Sequence, residues 1–241
     1  MVPGANRASR VELVLLPGLL CDSALWAPQI AALADLAHCW IPDLRAQSSI
    51  AAMGEAVLRE APSERFALAG LSMGGYVAME IMRRAPARVT RLALLDTRAT
   101  PDAPEETERR RELIRLAETE RGFTPVTRRM LPLLVHPSRL GDAPLVNSIR
   151  EMAERTGIDG FVRQQTAIIG RPDSRPALPQ IRAPTLVLCG REDAIPPLAR
   201  HEEMTALIPG ARLEIVERCG HLSTLEQPDA VSGALRVWLS S

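Results

Sequence analysis

The stretch Phe66–Met79, FALAGLSMGGYVAM, constrains the chain more tightly than any other. An apolar run of strand character stops and a lone serine, Ser72, follows with Gly70 two residues before it and Gly74 two residues after. Helix-forming residues resume at once. A strand that passes into a helix through one residue brings its own backbone close on both sides, and glycine supplies the room such an approach needs. The turn would present the Ser72 hydroxyl at its tip. The free N–H groups and positive dipole end of a helix starting at Met73 would face the same place. That arrangement suits a nucleophile whose reaction builds up an oxyanion. A plain glycine-rich turn would read the same in isolation, so the rest of the chain has to decide.

Short apolar runs alternate with helix-length segments around this elbow. Strands are expected at VELVLLPG, HCWIPDL, RFALAGL, VTRLALLDT, PTLVLCG and ARLEIVE. Helices are expected over Trp26 to Ala37, Ile50 to Arg59, Met73 to Arg84 and Leu222 to Trp238, the last with a start near Glu226 or Pro228 as the alternative. Apolar runs without strict alternation are what strands covered on both faces look like, so the fold class is α/β, with a mostly parallel sheet and helices on each side. The rhythm fails between Ala99 and Pro176, where no strand pattern occurs. A charged helix (TPDAPEETERRRELIRLAETERG) is expected there, followed by helices over Pro125 to Val135, Ala143 to Thr156 and Ile158 to Ile169. Prolines mark both ends. The expected organisation is a core from residues 1–100 and 176–241, with an all-helical insertion from 101–175.

Composition removes several alternatives. The chain has 241 residues, enough for one sizeable core, and its 29 basic and 29 acidic residues balance, so no global field favours nucleic acid or an anionic membrane. All the basic residues are Arg. Without a primary amine on a side chain, Schiff-base chemistry and a P-loop lysine are excluded. Cys21, Cys39, Cys189 and Cys219 are scattered with no CxxC pair, which speaks against structural zinc and fits reduced thiols in a cytoplasmic protein. The N-terminal stretch has a short apolar run broken by Pro17 and reads as no signal peptide, and no run approaches a membrane span. No metal or cofactor is expected.

A serine hydroxyl needs a base. Of four histidines, His38 precedes a strand, His136 lies beside Pro137 in the inserted region, and His201 in LARHEEM reads as an exposed helical position. His221, in VERCGHLSTLEQP, falls in a loop just past the last strand, from which a side chain reaches over the sheet's C-terminal edge. It is the expected base. The base needs a carboxylate to fix its tautomer. Asp193 in VLCGREDAIPP, with Glu192 beside it, follows one strand; Asp96 in LLDTRA follows another and is its rival.

The segments GLSMGG, GREDAIPP and CGHLSTLEQPDAV resemble the nucleophile elbow, acid loop and histidine loop of the α/β-hydrolase family, and the order Ser, Asp, His along the chain is that family's. The resemblance spans roughly residues 11–98 and 180–241. It implies that the inserted helices are a cap. It also implies an oxyanion donor in the loop after the first strand, where LLPGLLCDSALW carries Pro17 in place of the family's common His. Backbone N–H groups do that work, so the inferred donors are Leu19, with Leu20 as the second reading, and Met73. Cys21, Asp22 and Trp26 would shape the pocket floor, with helix packing the plainer reading of Trp26.

The expected function is therefore a serine hydrolase cleaving a small carboxylic ester, thioester or lactone through an acyl-enzyme. Ser72 would be the nucleophile, His221 the base and Asp193 its orienting acid. Within the family a C–C bond hydrolase, a lyase-type synthase, a cofactor-free haloperoxidase and a proline iminopeptidase are the alternatives; outside enzymology it is a non-catalytic ligand-binding member of the fold. Cap residues Met130, Leu131, Leu134, Phe161 and Ile168 would form an apolar acyl pocket, or else pack cap against core. An Arg of the cap (Arg128, Arg129 or Arg163) would grip a substrate carboxylate if the enzyme is lactonase-like, with surface exposure the plain alternative.

Overall fold

The computed structural model describes residues 10–120 and 124–241. The reading of the N-terminal stretch falls mostly on residues 1–9, and the end of the charged helix on 121–123; both lie outside the described residues. Six strands form one sheet: β1 (Val11–Leu16), β2 (Ala37–Trp40), β3 (Phe66–Leu71), β4 (Val89–Leu95), β5 (Thr185–Gly190) and β6 (Arg212–Val216). Their order is β2-β1-β3-β4-β5-β6, and every pairing is parallel.

Side chains alternate between the two faces of each strand and feed two separate cores. Val14 and Leu16 of β1 join one cluster, Leu13 and Leu15 the other. The first cluster is closed by α2 (Ile50–Glu60), α3 (Met73–Arg84) and α7 (Leu198–Leu207), through residues such as Met53, Ile81 and Met204. The second is closed by α1 (Ala27–Ala32) and α9 (Pro228–Ser240), with Leu235 and Trp238 of α9 packed into it. β3 and β5 are buried at every residue, which is why their sequences read as unbroken apolar runs. β6 lies at the edge; its exposed Arg212 and Glu214 put charge where an open strand would otherwise invite pairing.

Several boundaries differ from expectation. α1 ends at Ala32 rather than at Ala37, which already begins β2. β2 stops at Trp40, short of the segment HCWIPDL, because Pro42 has no N–H to continue a ladder. The terminal helix is broken into α8 (Ser223–Glu226) and α9 at Gln227, a residue driven out of helical geometry by Pro228.

Between β4 and β5 the described residues contain only helices: α4 (Pro104–Glu120), α5 (Thr124–Leu134) and α6 (Ala143–Ile169), with short 3-10 turns. Gly157 (φ 73°) divides α6 where the sequence suggested two helices. α6 lies over the loops that leave β1 and β2. Arg155 pairs with Asp22 at 2.6 Å, Arg45 donates to the Arg155 carbonyl at 2.8 Å, and Gln164 Oε1 accepts from Leu20 N at 3.0 Å. The order β2-β1-β3 makes the chain reverse direction at β1, and open α/β sheets place their ligand crevice at the strand C-termini beside such a reversal. The elbow after β3 and the Pro17–Leu20 loop after β1 both meet there.

Candidate active site

Ser72 sits between β3 and α3 with φ 55° and ψ −113°, in the left-handed region that side-chain-bearing residues seldom occupy. Its backbone is held from several sides: Ser72 N donates to Leu95 O at 3.0 Å, and Thr97 Oγ1 donates to Ser72 O at 2.8 Å. The flanking glycines are sterically required. A Cβ on Gly70 would lie 2.3 Å from Gly74 O, and one on Gly74 would lie 2.2 Å from Leu16 O. Since the obstacle at Gly74 is the β1 backbone, relief requires α3 to back away from the sheet. Gly74→Ala is expected to cost about 3 kcal/mol, lowering the melting temperature by roughly 6–12 °C for a domain of this size. An unchanged melt would mean that α3 does not rest against β1 in solution.

Three side chains from distant segments converge on this elbow. His221 Nε2 lies 2.9 Å from Ser72 Oγ, and His221 Nδ1 lies 2.8 Å from Asp193 Oδ2. The second carboxylate oxygen of Asp193 accepts the Ile195 N–H at 2.8 Å, which fixes the rotamer. His221 and Asp193 are buried. Burial alone would push the imidazole pKa down. The charge of Asp193 and its hydrogen bond outweigh burial, so His221 titrates above the ordinary histidine value.

Asp96, the rival acid, does not contact His221. It is fully buried at the end of β4 (φ 45°), where Oδ1 accepts Gly190 N–H at 3.0 Å and Oδ2 accepts from the Ser223 backbone and hydroxyl. Burial, reinforced by the nearby Asp193 charge, raises its pKa to about 8. Asp96 thus ties β4 to the start of the acid loop and to the segment just after His221.

The other histidines fall elsewhere. His201 is not exposed. Its ring is buried, with Nε2 accepting Thr97 N–H at 3.1 Å, and burial lowers its pKa to about 4. Helical spacing could not reveal this, since the face of α7 turned to the β4 loop depends on the sheet order. His38 is exposed on β2, and His136 caps the 3-10 turn Pro137–Arg139.

A cavity opens beside Ser72 and His221, lined by Leu19, Leu20 and Cys21 from the β1 loop and Tyr76 from α3. The helical insertion adds Arg110, Met130, Leu134, Ile149, Ala153 and Ile168. Of the apolar residues expected there, Met130, Leu134 and Ile168 line the cavity. Phe161 packs with Leu20, Ala117 and Ala153, and Leu131 packs against the core. Arg128 and Arg129 are exposed and Arg163 donates to Arg45 O at 2.8 Å, so the cationic wall residue is Arg110 instead. Trp26 is fully buried core, Asp22 caps a 3-10 turn, and Cys21 alone of that trio reaches the cavity.

Sequence reasoning passed over Glu226, and the backbone role of Leu134, in holding the site. Glu226, buried in α8, accepts His136 N–H at 2.6 Å and Leu222 N–H at 3.3 Å, joining the histidine loop to the insertion. Leu134 O, at the end of α5, accepts the N–H groups of both His221 and Leu222 at 3.1 Å. His136 lies 90 residues from Glu226, and Leu20 lies 144 residues from Gln164, so no local pattern marks these contacts.

All four cysteines are free, and among the described residues no helix is long and apolar enough to cross a membrane.

Residues 13–234 match the model of a family described as the alpha/beta hydrolase family. A thermophilic esterase of Thermogutta terrifontis, solved with malate bound, superposes with a TM-score of 0.89 at 33% identity over 95% of this chain and 89% of its own. The enol-lactonase of Burkholderia xenovorans LB400 also superposes at 0.89, with 27% identity over 99% of this chain and 94% of its own. The pimeloyl-[acyl-carrier protein] methyl ester esterase of Nitrosomonas europaea is 27% identical over 90% of this chain and 91% of its own length.

Proposed function

The chain belongs to the alpha/beta hydrolase family, and from that premise we propose that it is a serine hydrolase cleaving a carboxylic ester, thioester or lactone through an acyl-enzyme on Ser72. The observation that carries the reading is the hydrogen-bonded chain Ser72 Oγ, His221 Nε2, His221 Nδ1, Asp193 Oδ2, with links of 2.9 and 2.8 Å, at the wall of an apolar cavity. Esterase and enol-lactonase relatives make ester-bond cleavage the fitting reaction class.

In this mechanism His221 Nε2 takes the Ser72 proton as Oγ attacks the carbonyl carbon. Asp193 keeps the other ring proton on Nδ1 and stabilises the imidazolium. The carbonyl oxygen, now negative, is held by backbone N–H groups of Leu19 and Met73. Leu20 is the weaker candidate because its N–H is already committed to Gln164 Oε1 at 3.0 Å. The tetrahedral intermediate collapses as the imidazolium protonates the leaving alkoxide or thiolate. Water, deprotonated by His221, then attacks the acyl carbonyl and releases Ser72.

Residues 101–175 act as a cap and the remainder as the core in this reading. All the reacting side chains belong to the core, while the cap lines the pocket and excludes water. A fluorophosphonate is expected to add once, on the peptide carrying Ser72; labelling elsewhere, or none of the folded protein, would sink the assignment. Met130→Ala and Leu134→Ala are expected to shift the preferred acyl chain toward longer or bulkier groups while leaving the Ser72 label intact, as read by a chain-length series of 4-nitrophenyl esters. An unaltered profile would remove the cap from substrate selection.

A further inference from the structure

At the cap end of the cavity, three guanidiniums gather around two carboxylates. The Asp102 carboxylate, its side chain only 1% exposed, accepts from Arg98 at 2.7 Å and Arg171 at 2.8 Å on one oxygen and from Arg110 Nε at 2.6 Å on the other. Glu106 pairs in bidentate fashion with Arg98 at 2.7 and 2.8 Å. Arg171 also donates to the carbonyls of Ile168 and Thr100, and lies 4.3 Å over the Tyr76 ring. Three cations against two anions leave one positive charge unmatched.

Arg110 is where that surplus meets the cavity. Its Nε serves Asp102 and its Nη1 serves Gln165 Oε1 at 2.9 Å, whereas Nη2 has no hydrogen-bond acceptor among the described residues. Asp102 does not need Arg110 for neutrality, because Arg98 and Arg171 already address it. The Arg110 side chain keeps 17% of its surface exposed, so its free Nη2 edge, beside Met130, Ala153 and Ile168, is open to an anion entering the cavity. The same cavity reaches Ser72 past Tyr76, which stands one turn further along α3.

We propose that Arg110 is a specificity-determining residue that receives a carboxylate on the substrate, so that the preferred ester, thioester or lactone bears a free carboxylate one short chain away from the scissile carbonyl. The inference rests on the serine-hydrolase reading of Ser72. The planar fork of Arg110, oriented by Asp102 and Gln165, offers both protons of Nη2 to a carboxylate entering from the cavity. The neutral part of the substrate would lie along the apolar wall between the two ends.

The test compares substrates matched except for charge. One series is 4-nitrophenyl hemi-esters of dicarboxylic acids against their methyl esters, with the carboxylate on the acyl side. The other is acetyl esters of ω-hydroxy acids against their methyl esters, with the carboxylate on the alcohol side. In the wild type, one series is expected to favour the acid by about 10- to 100-fold in kcat/KM, the range of one charge-assisted pair. Arg110→Gln should erase that ratio and Arg110→Lys should retain part of it. Equal use of acid and methyl ester in both series by the wild type would overturn the proposal while leaving the hydrolase reading in place. Titration of Ser72→Ala with the same pairs reads binding without turnover, so the preference remains measurable even if the hydrolase reading fails. Equal binding of acid and methyl ester there also overturns it.

Discussion

Ser72→Ala is expected to lower ester turnover by roughly 10⁴- to 10⁶-fold, equivalent to about 5–8 kcal/mol of lost transition-state stabilisation. The size of the effect follows from the geometry. Without Oγ there is no acceptor for the acyl group, and His221 Nε2, 2.9 Å from that atom, has no proton to take. The remaining activity would come from oxyanion donors and binding acting on a water molecule. The variant should fold, because the elbow is held through backbone atoms, with Leu95 O accepting Ser72 N–H and Ser72 O accepting from Thr97. Stopped turnover with an unchanged melting temperature and loss of fluorophosphonate labelling is the expected combination. Turnover that survives at more than about a hundredth of the wild type would point to another nucleophile, since triad members act as a unit.

Asp193→Asn is expected to reduce kcat/KM by about 10⁴-fold through a tautomer error. Asp193 Oδ1 accepts Ile195 N–H at 2.8 Å, so the amide oxygen would keep that partner and turn its NH₂ toward His221. Nδ1 must then accept, which moves the ring proton to Nε2 and blocks it as a base toward Ser72. The pH profile supplies a second readout. In the wild type the base works only when neutral, so kcat/KM should rise with pH through a midpoint above about 6.5, the ordinary histidine value. Removing the Asp193 charge leaves burial as the largest influence, and the midpoint of the residual activity should fall.

Asp96→Asn separates the two carboxylates. Burial pushes the Asp96 pKa well above the ordinary carboxylate value, so the neutral amide replaces a group whose charge is already disfavoured. The amide oxygen can still serve Gly190 N–H, but the NH₂ that replaces the other oxygen accepts from neither Ser223 donor: the hydroxyl can turn to accept from it, and the Ser223 N–H is left unpaired. A loss of about 1–2 kcal/mol in stability is expected, with turnover within roughly tenfold of the wild type because no contact to His221 is broken. If Asp96→Asn proved the more damaging to turnover, the orienting role would pass to Asp96 and the contact between Asp193 and His221 would be incidental.

What could be read from the sequence was local. The elbow at Ser72, the strand runs, the boundaries of α3 and the break of α6 at Gly157 depend on residues within a few positions, through steric limits at Gly70 and Gly74 and through the apolar period. Tertiary structure decided whatever joins distant segments. Asp193 and Asp96 both end a strand in a polar turn; only the sheet order puts Asp193 against His221 and sends Asp96 beneath it to Gly190 and Ser223. His201 looked exposed because a helical position does not disclose which face meets the sheet. Arg110 was indistinguishable from the other arginines of a charged helix until Asp102 and Arg171, far apart along the chain, fixed its guanidinium at the cavity wall. Burial and charge pairing across long sequence separations are properties of the packed chain, and no window of residues contains them.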